Sequence, residues 1–308
     1  MRAVVFGCGY VGLTLGARLR DAGHDVVGVR RSGAGLDAVR EAGIEAVRAD
    51  ATDPDDVAAV PDADWVVYAA SAGRGGGLEA ARSVYVDGLT TVVDDYAARD
   101  DPPSRLVYAS STGVYGDCGG DWVDESTPPT PDTPRGEVLL EAERVALERT
   151  AAGGIDGTVV RFGGLYGPGR YRLERYLEGP VTEGYRNLTH RDDAAGAVAH
   201  LLAGDRARGE VVLVVDDEPV SKWEFADWLA DECGVERPPK RTVAERLAEL
   251  DDPADLSRRV RASKRCSNRR LRELDYEFRY PTYREGYRPA IDAYRESGAG
   301  EGESRRES

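Results

Sequence analysis

The segment Gly7-Cys8-Gly9-Tyr10-Val11-Gly12 lies between a short apolar run, 3–6, and a stretch whose apolar residues have helical spacing. In that setting each glycine of the G-x-G-x-x-G pattern has a separate task. The first permits a tight turn, the second lets the backbone approach a pyrophosphate, and the third lets the helix pack closely on the strand. We therefore expect a strand, a turn and a helix that bind a dinucleotide. A glycine-rich turn without a ligand is the alternative.

Short runs rich in Val recur along the chain, separated by segments of helix length. This alternation predicts parallel strands joined by right-handed crossovers, which is an α/β doubly wound parallel sheet of the NAD(P)-binding Rossmann type. The predicted strands are 3–6, 25–29, 45–47, 65–70, 105–109, 157–161 and 211–215. The predicted helices are 12–22, 36–42, 78–98, 136–150, 192–202 and 222–230, the last capped by Ser221.

The pattern becomes loop-rich after about Gly163, which suggests a division of the chain into two parts and a tail. Residues 1–162 are expected to form the Rossmann core. Because strand 211–215 should join the same sheet, residues 163–296 are expected to form a small substrate-covering region interleaved with that core. Residues 297–308, rich in Gly, Ser and Glu, predict a disordered tail.

The composition limits the partners. The 308 residues carry a net charge of −15, and nearly all basic side chains are arginine, a composition similar to that of halophilic cytosolic proteins. Nucleic acid is a poor partner for such a surface. No apolar run reaches the ~18 residues of a membrane helix, and the N-terminus lacks a signal-peptide pattern, so we expect a cytoplasmic protein. The four cysteines form no C-x-x-C pair, so neither a metal site nor a disulfide framework is predicted.

The end of the second predicted strand indicates which dinucleotide binds. An enzyme that prefers NAD usually carries an acidic residue there, to hold the ribose hydroxyls. This chain has Arg30-Arg31-Ser32, whose guanidinium and hydroxyl groups suit a 2′-phosphate, so NADP(H) is predicted over NAD(H). The alternative is that the arginines only face solvent.

Further along, Asp50 is placed either to accept a hydrogen bond from the adenine amine or to cap a helix. Ala69 and Ala70 suit a backbone that passes close to the cofactor, and they suit ordinary packing equally well. The predicted cofactor-binding residues are Gly7, Gly9, Tyr10, Val11, Gly12, Arg30, Arg31, Ser32, Asp50, Ala69 and Ala70.

Several segments, in this order, resemble the extended short-chain dehydrogenase/reductase family, the NAD(P)-dependent epimerases and dehydratases, and its atypical members in particular. Besides the glycine loop they are 85–88, 107–116, 160–170 and 187–193, and the resemblance extends to about Arg284. It implies a nicotinamide cofactor and a small-molecule substrate. By analogy with family members it also implies a homodimer.

The resemblance breaks where the family carries Tyr-x-x-x-Lys, because Arg135 and Leu139 stand at those positions. Arginine stays protonated and leucine has no titratable group, so neither can replace the family's acid/base pair. Arg135 is interpreted either as a ligand for a substrate carboxylate or phosphate or as a surface residue. Asp87 replaces a family Asn, and an ionised Asp cannot donate a hydrogen bond.

The remaining candidates for chemistry are hydroxyl groups. The resemblance implies that Ser111 hydrogen-bonds the reacting oxygen, with turn capping as its alternative role. Tyr115 is the predicted stand-in for the missing acid, with aromatic packing as its alternative. The predicted catalytic residues are thus Ser111 and Tyr115, and the predicted substrate-binding residues are Asp87, Arg135 and Tyr166.

Two functions follow from these observations. The first is an NADP(H)-dependent oxidoreductase, or an epimerase/dehydratase-like enzyme, acting on a polar small molecule such as a nucleotide sugar. The second is a non-catalytic NADP(H)-binding sensor or protein-interaction module that kept the nucleotide site after losing its acid/base pair.

Overall fold

A computed structural model describes residues 1–73, 75–249 and 260–304. Its centre is a sheet of seven strands, every neighbouring pair of which is parallel. In chain order the strands are β1 (Arg2–Phe6), β2 (Asp25–Arg30), β3 (Glu45–Arg48), β4 (Trp65–Tyr68), β5 (Arg105–Ser111), β6 (Asp156–Phe162) and β7 (Val211–Val214). The spatial order is β3-β2-β1-β4-β5-β6-β7. The doubly wound parallel sheet predicted from the sequence is confirmed.

The strand order reverses between β1 and β4. The chain leaves β1 toward β2 and β3, then returns to place β4 on the other side of β1. The connections that leave the carboxyl ends of β1 and β4 therefore diverge, and they open a crevice there. In open α/β sheets, this is the position at which ligands bind.

Helices cover both faces of the sheet, so the strands are buried on both sides. Val5 packs into the core on one face, whereas Val4 and Phe6 pack into the core on the other. Burial on both faces explains why the sequence of each strand is a nearly continuous run of apolar residues. The helices are α1 (Tyr10–Asp21), α2 (Gly33–Glu41), α3 (Pro54–Ala58), α4 (Leu78–Arg82), α5 (Gly88–Ala97), α6 (Pro134–Arg144), α7 (Thr150–Ala152), α8 (Leu173–Glu178), α9 (Arg191–Ala203), α10 (Lys222–Cys233), α11 (Val243–Ala248), α12 (Arg269–Glu273) and α13 (Tyr283–Ser304).

Two of the long predicted helices contain a π-helical turn. The turn Ser83–Asp87 joins α4 to α5, and the turn Val145–Arg149 joins α6 to α7. Single π turns inside α-helices often mark functional sites, and a hydrophobic pattern does not predict them.

At the start of α6, Thr133 accepts a hydrogen bond from the Gly136 amide and Pro134 takes the first helical position.

The residues after β6 contribute to the sheet and also cover its carboxyl edge. Strand β7 pairs with β6, so the strand predicted at 211–215 does join the sheet. Short parallel pairs then join Gly164–Tyr166 to Leu188–His190 and Arg265–Cys266 to Trp122–Val123. Helix α13 packs on α10.

Two local predictions differ from the structure. Helix α10 does begin after Ser221, but the Ser221 side chain makes no capping hydrogen bond. Helix α13 continues to Ser304, where a disordered tail is predicted from 297; positions 305–308 lie outside the described residues. No helix among the described residues is both long enough and apolar enough to span a membrane.

Candidate active site

A cleft of about 1530 Å³ opens at the carboxyl ends of the strands, where the strand order reverses. One end is lined by the glycine loop, the end of β2 and the turn after β3. The other end is lined by the end of β5, the start of α6 and, from far along the chain, Ala262 and Lys264. Polar side chains line both ends, with Arg30 and Asp50 at the first and Ser111 and Lys264 at the second.

The glycine loop has the geometry that its pattern predicts. Gly7 has φ 78°, and a Cβ there would overlap the backbone of Ala70 at the end of β4. A Cβ at Gly12 would lie 3.0 Å from the Gly7 carbonyl oxygen, so the third glycine permits close packing. Gly9 is the N-cap residue of α1 and has no side chain that could occupy the first amides of the helix, and the first turn of α1 has no acidic residue. The amides at this helix end are therefore free to bind phosphate.

The end of β2 brings a guanidinium to the same loop. A Cβ at Gly9 would lie 2.5 Å from Arg30 Nη1, and one at Gly35 would lie 2.6 Å from Arg30 Nε, so Arg30 lies between the loop and the start of α2. Ser32 caps α2 by accepting a hydrogen bond from the Gly35 amide. Arg31 is 60% exposed and pairs with Asp50 at 3.2 Å. Arg30, rather than Arg31, is thus the arginine that lies against the glycine loop.

Asp50 also lines the cleft, but its carboxylate is already engaged. It accepts hydrogen bonds from the amide and the hydroxyl of Thr52, at 3.1 and 2.8 Å, and from Arg31. Burial raises the pKa of Asp50, but these hydrogen bonds outweigh it, so the pKa is below its ordinary value. The helix-capping role predicted for Asp50 is wrong, because Asp53 caps α3 and Asp50 instead holds the turn at Thr52. Its contact with an adenine amine stays a prediction.

Ser111 ends β5 at the opposite side of the cleft. Its Oγ accepts a hydrogen bond from the Gly113 amide at 3.1 Å, which caps the 3₁₀ turn Thr112–Tyr115. The residue also lines the cleft and a smaller pocket beside it. Both predicted roles, turn capping and contact with a ligand, are compatible with this position.

Arg135 and Leu139 both line the cleft, and both are half-buried. Arg135 Nη2 donates to the Tyr85 hydroxyl at 2.7 Å and to the Gly73 carbonyl oxygen at 3.1 Å. Tyr85 is 7% exposed and lines the cleft, with Ser71 Oγ 3.5 Å from its hydroxyl. The structure thus pairs the phenol of Tyr85 with the guanidinium of Arg135, which itself stands at the family's Tyr position.

Sequence reasoning missed Tyr85 and selected Asp87 instead. Asp87 is exposed and does not line the cleft, so its predicted contact with substrate is wrong. The two residues lie in the π turn Ser83–Asp87, and positions two apart on a helix point to opposite sides. The only signal in the sequence was that Tyr85 opens one of the segments that carry the family resemblance.

Tyr115 is also outside the cleft, contrary to its predicted role as the acid. Its ring is fully buried, and its hydroxyl donates to the Asp124 carbonyl oxygen and accepts from Arg161 Nη1, both at 2.7 Å. Burial raises the pKa of Tyr115 above its ordinary value. The hydroxyl is thus held by protein groups, which makes Tyr115 a packing residue.

Tyr166 lines the smaller pocket rather than the main cleft. Its ring stacks on that of Tyr287, with 4.8 Å between the centroids, and it is 2% exposed. Nearby, His190 caps α9 by accepting the Asp192 amide at Nδ1, and burial lowers the pKa of His190 to about 4.

Lys264 is a second residue that sequence reasoning missed. It is 8% exposed, lines the cleft, and donates from Nζ to the Gly116 carbonyl oxygen at 2.8 Å. It lies more than a hundred residues beyond Leu139, and no local pattern connects it with the cleft. The short strand Arg265–Cys266, paired with Trp122–Val123, brings it there.

A comparison with known sequences agrees with this geometry. Residues 3–214 match the sequence model of the NAD dependent epimerase/dehydratase family, which covers the strands, the glycine loop and the α6 segment. The chain belongs to this family. The chain is also similar to a reductase, which is described below. Together these findings make it an NAD(P)-dependent oxidoreductase-like enzyme.

Three proteins illustrate the relationship. Protein YeeZ of Escherichia coli K12 is 30% identical over 91% of this chain and 96% of its own. The 3-diazoavenalumate denitrifying reductase of a Streptomyces species is 30% identical over 93% of this chain and 99% of its own. A solved structure from Methylobacillus flagellatus, provisionally assigned as an NAD-dependent epimerase/dehydratase, is 30% identical with a TM-score of 0.76, over 96% of this chain and 98% of that one.

Proposed function

We propose that the protein is an oxidoreductase that uses NADP(H) in preference to NAD(H) and acts on a small polar molecule. The observation that carries the cofactor preference is the position of Arg30, at the end of β2 between the glycine loop and Gly35. A guanidinium at this point suits a 2′-phosphate. The Ser32 hydroxyl and the N-terminus of α2, which begins directly after Ser32, suit the same group. No carboxylate of β2 is available there to hold the ribose hydroxyls of NAD.

The residues present fit a dinucleotide. A Cβ at Gly7 would overlap the Ala70 backbone and one at Gly9 would overlap Arg30, so the loop needs glycine at both positions. The uncapped start of α1 offers amides to the pyrophosphate. When bound, the nicotinamide would supply or accept a hydride. Ala69 and Ala70, whose small side chains line the same cleft, would allow the cofactor to pass close to the end of β4.

For the chemistry, we propose that Ser111 hydrogen-bonds the reacting oxygen and that Tyr85 donates or accepts the proton. Arg135 donates to the Tyr85 hydroxyl at 2.7 Å, so its fixed positive charge would stabilise the phenolate left after proton transfer. The family resemblance makes nucleotide sugars the first class of substrate to screen. Tyr85→Phe should then lower kcat at least tenfold with little change in NADPH affinity, and an unchanged kcat would exclude Tyr85 as the acid/base.

The first experiment is a titration with NADPH and NADH, followed by nicotinamide fluorescence and calorimetry. Molar potassium chloride is appropriate because the net charge is −15. One charged hydrogen bond contributes about 1.5–3 kcal/mol, so Arg30→Gln should weaken NADPH binding about tenfold or more and leave NADH binding unchanged. Arg40→Gln, an exposed residue at the end of α2 paired with Asp37, is the matched control and should change neither. Equal loss of both cofactors in Arg30→Gln would refute the preference.

A second function remains a candidate because Arg135 and Leu139 both line the cleft at the place of the family's acid/base pair. A non-catalytic NADP(H)-binding protein would bind the cofactor without turnover. The double variant Arg135→Tyr, Leu139→Lys separates the two functions, since activity that appears only in this variant would favour the non-catalytic one. Turnover of NADPH by the natural protein, lost in Ser111→Ala, would favour the enzyme.

A further inference from the structure

We infer that the smaller pocket beside Ser111 is a subsite for a compact oxyanion, the carboxylate or phosphate group of a small substrate. The pocket has a volume of about 260 Å³ and shares Ser110, Ser111, Phe162, Leu165 and Arg170 with the main cleft. A ligand held there would therefore reach the end of β5. The inference rests on the proposed function, because it assumes that a substrate reacts beside Ser111.

The charge of the pocket differs from that of the whole chain. The described residues that line it include Arg170, Arg172 and Arg186 but no Asp or Glu. None of these three arginines forms a salt bridge or a side-chain hydrogen bond with a described residue, although the chain carries a net charge of −15. A set of arginines without a carboxylate partner is suited to an anion.

Arg186 is held in position by rings rather than by a carboxylate. Its guanidinium carbon lies 4.6 Å from the centroid of Tyr176 and 5.3 Å from that of Phe225. Its Nε is buried and has no hydrogen-bond partner among the described residues. A buried donor without a partner is costly, and an oxyanion in the pocket would satisfy it.

Tyr166 gives the pocket an aromatic wall, and its hydroxyl lies against Gly286 of α13, where a Cβ would overlap it. The side chain is 2% exposed and lines the pocket, and no described residue accepts or donates at its hydroxyl. Stacking on Tyr287, with an angle of 11° between the rings, fixes its orientation. Guanidinium groups beside such a wall form a recognisable site for a carboxylate or a phosphate.

The size and walls of the pocket limit the rest of the ligand. The volume lies below the ~300–1,000 Å³ of pockets that take drug-sized molecules. Phe162, Tyr176 and Tyr287 line it with aromatic surface, which suits a flat apolar body beside the anionic group. The inferred ligand is thus a small acid or monophosphate with an apolar part, a different class from the nucleotide sugars that the family resemblance suggests.

The test uses the full chain saturated with NADPH and follows binding by calorimetry. The probes are benzoate, phenyl phosphate and the neutral benzamide, with UDP-glucose for comparison. At least one of the two anions should bind tenfold or more tightly than benzamide, and which of them does so distinguishes a carboxylate site from a phosphate site. Both anions binding no better than benzamide, or UDP-glucose binding more tightly than either, would overturn the inference. Failure to bind NADPH would instead refute the proposed function.

Variants assign the binding to this pocket. Arg186→Gln should reduce anion binding about tenfold or more, because a charged donor is lost, with benzamide and NADPH unaffected. Arg175→Gln, an exposed arginine on α8, is the matched control and should bind the anions like the natural protein. Unchanged anion binding in Arg186→Gln would exclude the pocket.

The Tm of Arg186→Gln without ligand checks for a folding defect, and it should match that of the natural protein. The anion should raise the Tm of the variant less than that of the natural protein. An equal rise in both proteins would contradict the role of Arg186.

Discussion

The buried ion pair between Glu143 and Arg161 should dominate the stability of the region around β5 and β6. The side chains are 3% and 4% exposed, and Arg161 donates to the Glu143 carboxylate from Nε at 3.0 Å and from Nη2 at 2.6 Å. Ser110 donates to the same carboxylate at 2.5 Å, and Arg161 also donates to Tyr115. Glu143→Gln keeps the shape of the side chain but leaves the guanidinium without its countercharge.

The expected loss is large because an unpaired charge stays buried. Removing one partner of a buried pair costs about 3–5 kcal/mol. With an unfolding entropy of about 2.1 cal/mol/K per residue, a chain of 308 residues loses roughly 1.5 °C in Tm per kcal/mol. Glu143→Gln should therefore melt about 5–8 °C below the natural protein.

Glu141→Gln is the matched control on the same helix. Glu141 pairs with Arg82 at the surface, where the side chains are 38% and 51% exposed, and such pairs contribute about 0–1 kcal/mol. The assay is thermal and urea denaturation of both variants under one buffer and one scan rate. The double variant Glu143→Leu, Arg161→Met should recover at least half of the loss, because no unpaired charge remains. A Glu143→Gln protein that melts within about 1 °C of Glu141→Gln would refute the reasoning.

Three further predictions concern other parts of the molecule. Gly7→Ala places a Cβ against the Ala70 backbone at φ 78°, so calorimetry should show NADPH affinity reduced at least tenfold. Burial lowers the pKa of His190 to about 4, so between pH 6.5 and 4 the unfolded state binds more protons, and stability should fall with falling pH by up to about 3 kcal/mol. His190→Asn keeps a capping acceptor and should show a smaller fall, so equal urea midpoints for the two proteins across that range would contradict the assignment. Lys264→Met leaves the Gly116 carbonyl oxygen without its charged donor and should lower the free energy of unfolding in urea by about 1.5–3 kcal/mol.

The cofactor end of the cleft could be predicted because its determinants are local. The turn at Gly7 and the helix after it follow from residues adjacent in sequence, and the end of β2 follows from the length of one apolar run. Parallel strands buried on both faces leave a strong signal in sequence, so the order of elements was predictable as well. Even here, the choice between Arg30 and Arg31 came from packing, since Arg31 turns away to Asp50.

The catalytic end could not be predicted in the same way, because distant segments compose it. Whether Tyr85 or Asp87 faces the cleft depends on a π turn that hydropathy does not reveal. The Tyr115 hydroxyl lies outside the cleft and accepts a hydrogen bond from Arg161. Lys264 lines the cleft because the next two residues, Arg265–Cys266, pair with the distant strand Trp122–Val123.

The sequence alone therefore determined the sheet, the glycine loop and the arginine-rich end of β2, since backbone periodicity and turn sterics act over a few residues. Only the tertiary structure decided which hydroxyls and cations share the cleft and that three arginines line one small pocket without a carboxylate. Side-chain direction and desolvation in such a site depend on every element packed around it, and no window of the sequence contains them all.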